Sequence, residues 1–330
     1  MRTATLSGSG RQRGLHHGTA LQSEIRETVA ALKAHLRSRD HDPDALAARL
    51  ETSNLRAVAA ELTPDLWDEI TATADGAGVP LDDVLLLTFL DEVWGLTRPA
   101  GCSVLARRDD HGVEVGQTMD LPAWTVGRLV VLRSCPPDSP RALLMSYPGM
   151  IGLCGANESG FALAVNTLEQ LGLDENGLGV GFVTRRLLTL TSIEEAAEFL
   201  GSIPHAAGQA YTIGAQGRIA TFEAGPGSVK QVSEFDARAC LHTNHPLGDE
   251  DRARESSLVR LRTLEIAVAE HAGLQEALSG DVVVDGARYG DRNSTFAAFT
   301  CNTNDSHVQF IDGAELRSGH RDWTSVTFQS

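Results

Sequence analysis

Lysine is nearly missing from this chain: among its 330 residues only Lys33 and Lys230 are lysines. Arginine supplies almost all the positive charge, which reads as the codon bias of a GC-rich bacterial genome rather than as chemistry. Cations are also outnumbered, and the formal net charge is −16. Such a balance argues against a nucleic-acid partner or an anionic membrane surface. No apolar run approaches the length of a membrane span. The opening MRTATLSGSGRQRGLHHG has no apolar core and does not read as a secretory signal. The expected compartment is therefore the cytoplasm.

Paired cysteines are missing too. Cys102, Cys135, Cys154, Cys240 and Cys301 form an odd, scattered set without a C-x-x-C pair. That argues against a disulfide framework and against a structural zinc site. Each is then either a small buried hydrophobe or a reactive thiol. GSGRQRG and GLGVG are glycine-rich but do not make a dinucleotide fingerprint, and there is no P-loop, H-E-x-x-H or G-x-S-x-G. His242 and His245 flank Asn244 without making a metal-ligand pattern, so loop histidines are the simpler reading.

What is present falls into two textures. Residues 19–96 read as helices: Ile25, Val29, Leu32 and Leu36 recur at helical spacing, and so do Leu55, Val58 and Leu62. Thr63 is an expected N-cap, with Pro64 at the first helical position. PLDDVLLLTFLDEVWGL reads as one buried helix. From Cys102 onward come short β-branched and apolar runs separated by Gly, Asp and Pro: CSVLARR, GVEVGQTMDL, RLVVLRS, RALLMSYPG and GFALAVNTL. Ser192 and Glu195 make a capping box for a helix. Hairpins are expected near Gln216-Gly217 and Asn304-Asp305. Residues 249–279 read as a charged helix with a solvated face. Helices, strands, helices and strands in that order, without β-α-β alternation, predict an α+β fold with antiparallel sheets.

The sharpest boundary is the Gly101–Cys102 junction. A set of short polar motifs follows it: GCS (101–103), GQTMD (116–120), GANESG (155–160), VNTL (165–168), HTNHP (242–246) and RNSTF (292–296). Each is weak alone. In this order, after a helical N-terminal third, they make the chain resemble the acyl-CoA:6-aminopenicillanate acyltransferases, peptidase family C45 of the N-terminal-nucleophile (Ntn) hydrolases. The likeness runs from about residue 15 to the end. Choloylglycine hydrolases and penicillin V acylases are similar at a greater distance.

The resemblance implies an αββα sandwich of two antiparallel sheets and a precursor that cuts itself between Gly101 and Cys102. Residues 1–101 would become a mainly helical α-subunit that stays docked, and 102–330 the catalytic β-subunit. Cys102 would be both nucleophile and, through its new α-amine, base. Asp120 would position and tune that amine, and Gln117 would brace the nucleophile. Asn244 would donate to the oxyanion. Asn157 and Asn166 would support the oxyanion or substrate. Arg292 would depress the thiol pKa or bind a substrate carboxylate, with Thr295 offering a hydroxyl. Thr118 and Met119 stand where the family usually has Asn and Trp, which suggests a differently shaped pocket. No metal or redox cofactor is implied. A small-molecule amide or acyl compound would be the substrate, and an acyl thioester such as acyl-CoA a cosubstrate if amides are made. The acidic charge is compatible with a monomer or a dimer of processed heterodimers. Two rival readings use the same residues: a thiol enzyme that never self-cleaves, with a base such as His242, and a binding protein that kept the fold without the chemistry.

Overall fold

The computed structural model describes residues 1–93, 101–110, 112–233, 237–284 and 293–329. The β-branched runs assemble into two sheets. The first has eight strands in the order β1 (Arg2–Ser7), β4 (Val130–Cys135), β5 (Ala142–Ser146), β6 (Cys154–Asn157), β7 (Phe161–Thr167), β8 (Gln209–Ala215), β9 (Arg218–Gly225) and β10 (Ser228–Gln231). The second has six: β11 (Ala239–His242), β2 (Gly101–Asp109), β3 (Gly112–Pro122), β12 (Asn293–Asn302), β13 (His307–Asp312) and β14 (Thr324–Val326). Strands β2 and β3 face β7 and β8 across the sandwich.

Alternation along β2 shows how the layers are made. Val104 and Ala106 point between the sheets and join the main core, while Leu105 points the other way. There it meets Leu264 of α10 (Glu255–Ala269) and Leu274 and Leu278 of α11 (Leu274–Leu278). Successive side chains on a strand must take opposite faces, so both faces of β2 are covered. Helices α8 (Val180–Leu187) and α9 (Ile193–Ser202) lie against the first sheet. The result is the expected αββα order of layers.

Three details differ from the sequence expectation. The N-terminal segment is not wholly helical: β1 pairs with β4, and that pair is parallel, from Arg2↔Val130 to Ser7↔Cys135. The apolar run from Leu81 breaks at Phe89 into α6 (Leu81–Thr88) and α7 (Leu90–Val93). Thr63 does not cap with its side chain; its hydroxyl donates back to the Ala59 carbonyl at 2.8 Å, while Pro64 does open the next helix. The hairpin at Gln216-Gly217 does turn there, both residues having positive φ.

GSGRQRG has a packing role. In α1 (Gly10–Ala20), Gly10, Gly14 and Gly18 recur every four residues, and a Cβ on any of them would overlap the carbonyls of Asp65, Glu69 and Thr73 in α5 (Pro64–Ala77). The two helices thus touch backbone to backbone. Close by, the buried Glu69 carboxylate binds Arg13 Nε at 2.7 Å and Arg185 Nη1 at 2.6 Å. Arg13 belongs to α1 and Arg185 to α8, so one buried carboxylate ties the N-terminal segment to the remainder.

Candidate active site

The parity of β2 that sends Val104 inward sends Cys102 inward as well. The Cys102 side chain is 3% exposed and belongs to the core between the sheets. It is bounded by Met119, Leu121, Met150 and Val165, and a cavity of only about 40 Å³ opens beside it. A larger cavity of about 460 Å³ lies elsewhere, over Arg13, Asp65, Arg185 and residues 136–140, away from Cys102.

The backbone of Cys102 is held in an unusual way for a central strand. Strand β11 pairs with β2 only as far as His242↔Val104. Beyond it the chain diverges, and side chains replace the missing strand. The Cys102 N–H donates to Asn244 Oδ1 at 2.7 Å. The Cys102 carbonyl accepts from Arg260 Nη1 at 2.5 Å and from Asn166 Nδ2 at 3.2 Å. Arg260 also donates to Ser103 Oγ at 2.9 Å and, through Nη2, to Asn244 Oδ1 at 2.9 Å. Two N–H donors converging on one atom fix that atom as the amide oxygen. The Asn244 NH₂ faces the Thr167 carbonyl at 3.2 Å. Asn244 therefore acts as an acceptor for the Cys102 nitrogen, and its donor is engaged elsewhere.

Asp120 lies on the other face. It pairs with Gly101 across β2 and β3, and a Cβ on Gly101 would sit 2.5 Å from Asp120 Oδ2. Thr295 donates to Asp120 Oδ1 at 2.7 Å and also contacts the Val284 carbonyl. Asp120 thus backs the Gly101–Cys102 peptide from the helix-covered side, while the thiol points between the sheets. Gln117, 0% exposed, bridges those sheets: its Nε2 donates to the Val165 carbonyl at 2.5 Å and its Oε1 accepts from the Val165 N–H at 2.9 Å.

These surroundings push the Cys102 thiol up to about 12. Burial does most of this, and the Asp120 and Asp91 carboxylates add to it; Arg260 and a hydrogen bond with Gln117 oppose it. At neutral pH the sulfur is then a thiol.

Other expected residues sit elsewhere. Asn157 is not brought to Cys102. Its NH₂ donates to the carbonyls of Leu188 (3.1 Å) and Leu190 (2.7 Å), and its oxygen accepts from the N–H groups of Ser159 and Phe161. All its capacity goes into holding a hairpin against the end of α8, so it is a structural asparagine and not part of the cluster. Arg292 lies outside the described residues. His242 has both ring nitrogens engaged, with Glu223 Oε1 at 2.9 Å and the Thr243 carbonyl at 2.8 Å. Among the described residues no group of three or more His, Cys, Asp or Glu could hold a metal ion.

Arg260 was hidden from sequence reasoning. Residues 249–279 read as a solvated helix, yet Arg260 is 1% exposed. Ser256, Arg260 and Leu264 share the inward face of α10. Because two of these three are polar, apolar periodicity could not reveal it.

The described residues thus place a buried cysteine at the head of a central strand, in an αββα sandwich, with side chains holding both its N–H and its C=O. The family described as Acyl-coenzyme A:6-aminopenicillanic acid acyl-transferase matches residues 107–279, more than half of the chain, and the chain belongs to that family. It is an enzyme of the acyltransferase kind. It is 28% identical over 280 residues to the Acyl-coenzyme A:6-aminopenicillanic-acid-acyltransferase 40 kDa form of Emericella nidulans, a match covering 84% of this chain and 77% of that protein. Among solved structures it is similar to a penicillin V acylase from Agrobacterium tumefaciens, with TM-score 0.43 and 14% identity over 64% of this chain and 82% of that one. A mutant conjugated bile acid hydrolase from Clostridium perfringens has TM-score 0.38 and 13% identity over 68% and 96%. No helix of the described residues is long and apolar enough to cross a membrane.

Proposed function

We propose that this protein is a cysteine Ntn enzyme that activates itself by cutting Gly101–Cys102 and then cleaves or forms amide bonds through a Cys102 thioester. The observation that carries this reading is the cradle around Cys102, whose N–H and C=O are both taken by side chains, from Asn244, Arg260 and Asn166. An ordinary central-strand residue would give them to a neighbouring strand.

In the cut, the thiol attacks the Gly101 carbonyl carbon. The peptide C–N bond breaks, the thiol proton passes to the departing nitrogen, and a thioester joins Gly101 to Cys102. Water then releases the Gly101 carboxyl and regenerates the thiol. Gly101 suits this step because no side chain fits beside Asp120.

The product is an α-amine built from the nitrogen that already lies 2.7 Å from Asn244 Oδ1. Such an amine titrates near ~7.7–8.0, low enough to accept the thiol proton at neutral pH. Asn244 holds it by the amide oxygen, and Arg260 fixes Asn244 in turn. The thiolate attacks an acyl carbonyl facing the cavity, and the leaving amine or thiol takes the proton. Water then gives an acid, or a bound amine gives a new amide. An acyl thioester such as acyl-CoA would donate in the second case, as the name of the Emericella relative states for that protein. A role in natural-product tailoring follows the same analogy.

Occupied ring nitrogens on His242 weigh against a thiol enzyme that uses it as base. The test is denaturing intact mass of freshly purified protein beside Cys102→Ala. Two fragments, the larger starting at Cys102, with the variant whole, are the expected result. A single intact chain in both would remove the α-amine and with it this mechanism. A panel of N-acyl amino acids and acyl thioesters then separates hydrolysis from aminolysis.

A further inference from the structure

The cavity beside Cys102 has a polar corner formed by Asp91, Thr167 and Gln209. Asp91, in α7 and eleven residues ahead of Cys102, places its Oδ2 there. It accepts from Gln209 Nε2 at 2.7 Å and from Thr167 Oγ1 at 3.0 Å. Both donors belong to strands of the first sheet, β8 and β7, at the register pair Thr167↔Gln209. Gln209 is 1% exposed, and its Oε1 is buried with no hydrogen-bond partner among the described residues.

That corner suits its occupant poorly. No Lys, Arg or His side chain lines the cavity. The carboxylate is held by two neutral donors, and burial, partly opposed by those two hydrogen bonds, raises its pKa. In its ionised form Asp91 also has no proton to give the orphaned Gln209 oxygen. A neutral primary amide would satisfy every group: its C=O accepts from Gln209 Nε2 and Thr167 Oγ1, and the N–H on the same side as that C=O donates to Gln209 Oε1. An unmade bond from a buried acceptor is the costly part of the present arrangement.

We infer that Thr167 and Gln209 form a subsite for a neutral amide group of the substrate beside the Cys102 nucleophile, and that Asp91 of the uncut chain fills it as an imperfect stand-in. This rests on Cys102 being the nucleophile. It adds a substrate feature, an uncharged amide a short distance from the reacting acyl carbon, and an internal competitor for its place.

The test begins on uncut protein in a Cys102→Ala background, so that it does not depend on catalysis. Asp91→Asn puts an amide in the corner and raises Tm by about 2 °C or more. Asp91→Ala lowers Tm, and acetamide restores part of the loss beyond its effect on the parent, whereas equimolar acetate does not. Adding Gln209→Leu removes the acetamide effect. Equal rescue by acetate, or acetamide rescue that survives Gln209→Leu, overturns the assignment. If Asp91→Ala does not fold, Asp91→Asn decides alone, and a Tm below the parent overturns it. In processed enzyme, Gln209→Leu raises KM about tenfold for succinamoyl thioester, which carries a primary amide, the loss of two neutral hydrogen bonds offset in part by water. For hexanoyl thioester KM stays within about twofold, with kcat little changed for both. An equal rise for both donors overturns the subsite. Absence of self-cleavage, by contrast, overturns the proposed function and leaves the melting results to be read by themselves.

Discussion

The Asp120 carboxylate occupies the space that any side chain on Gly101 would need, with Oδ2 only 2.5 Å from where a Cβ would lie. Asp120 is short, buried and tied to Thr295, so it cannot swing aside at little cost. Gly101→Ala is therefore expected to displace Asp120, lower stability by about 1–3 kcal/mol and slow the cut. A time course of intact mass on freshly made protein checks this. Cleavage at the parent rate with unchanged Tm would refute it.

Arg260 is expected to behave as a positioning residue. Arg260→Met keeps most of the volume but removes the donors to the Cys102 carbonyl, Ser103 and Asn244. Losing hydrogen bonds from a charged donor should cost about 1.5–3 kcal/mol each, less whatever water recovers. It also removes a cation that lowers the Cys102 thiol pKa. Alkylation of Cys102 by iodoacetamide should then show a rate profile moved to higher pH, a change that mere loosening would not produce.

Glu69 is expected to govern whether the two halves stay together after a cut. Burial pushes its carboxyl up, but Arg185 and Arg13 outweigh burial and hold it below the ordinary glutamate range. A lowered pKa means stability that is present above the ordinary value and lost as pH falls through the lower one. Glu69→Gln leaves two buried guanidinium groups without their shared charge and should cost about 3–5 kcal/mol. Size-exclusion chromatography of the cut protein should show the fragments separating at a higher pH than in the parent.

Glu92 works in the opposite direction. Its Oε1 accepts from the Val180 N–H at the start of α8 at 2.6 Å, while Oε2 has no partner among the described residues. Burial, reinforced by Asp91, raises its pKa to about 8. The folded chain therefore binds more protons than the unfolded one between the ordinary glutamate range and about pH 8. Stability falls across that window by up to about 1.4 kcal/mol per pH unit. Glu92→Gln should flatten this slope, melting like the parent near pH 4.5 and above it at pH 8. Parallel Tm–pH curves for the two proteins would contradict this.

The layers of the fold were legible because they depend on local pattern. Alternation in CSVLARR and GVEVGQTMDL predicts β2 and β3, and parity then decides which side chains enter the core. The Gly101–Cys102 boundary was visible for the same reason, as helical spacing gives way to alternation. The parallel pairing of β1 was not visible, because RTATLS is short and half exposed and its partner lies far along the chain. Arg260 and Gln209 were missed because each reaches the site from an element whose own pattern gives no sign of it. Asn157 misled because an asparagine before a glycine looks the same whether it serves a substrate or four backbone groups.

The pairing of Arg2 with Val130 imposes an order of events on the molecule. Strand β1 is made before its partner, and that partner is made only after Gly101 and Cys102 have been made. If the chain were severed at that bond before Val130 emerged, the leading piece would drift away with its edge strand unpaired. If the proposed cut occurs, the eight-stranded sheet would have to be finished first. The burial of Cys102 as a thiol would then work as a delay, keeping the cut waiting until both pieces have something to hold.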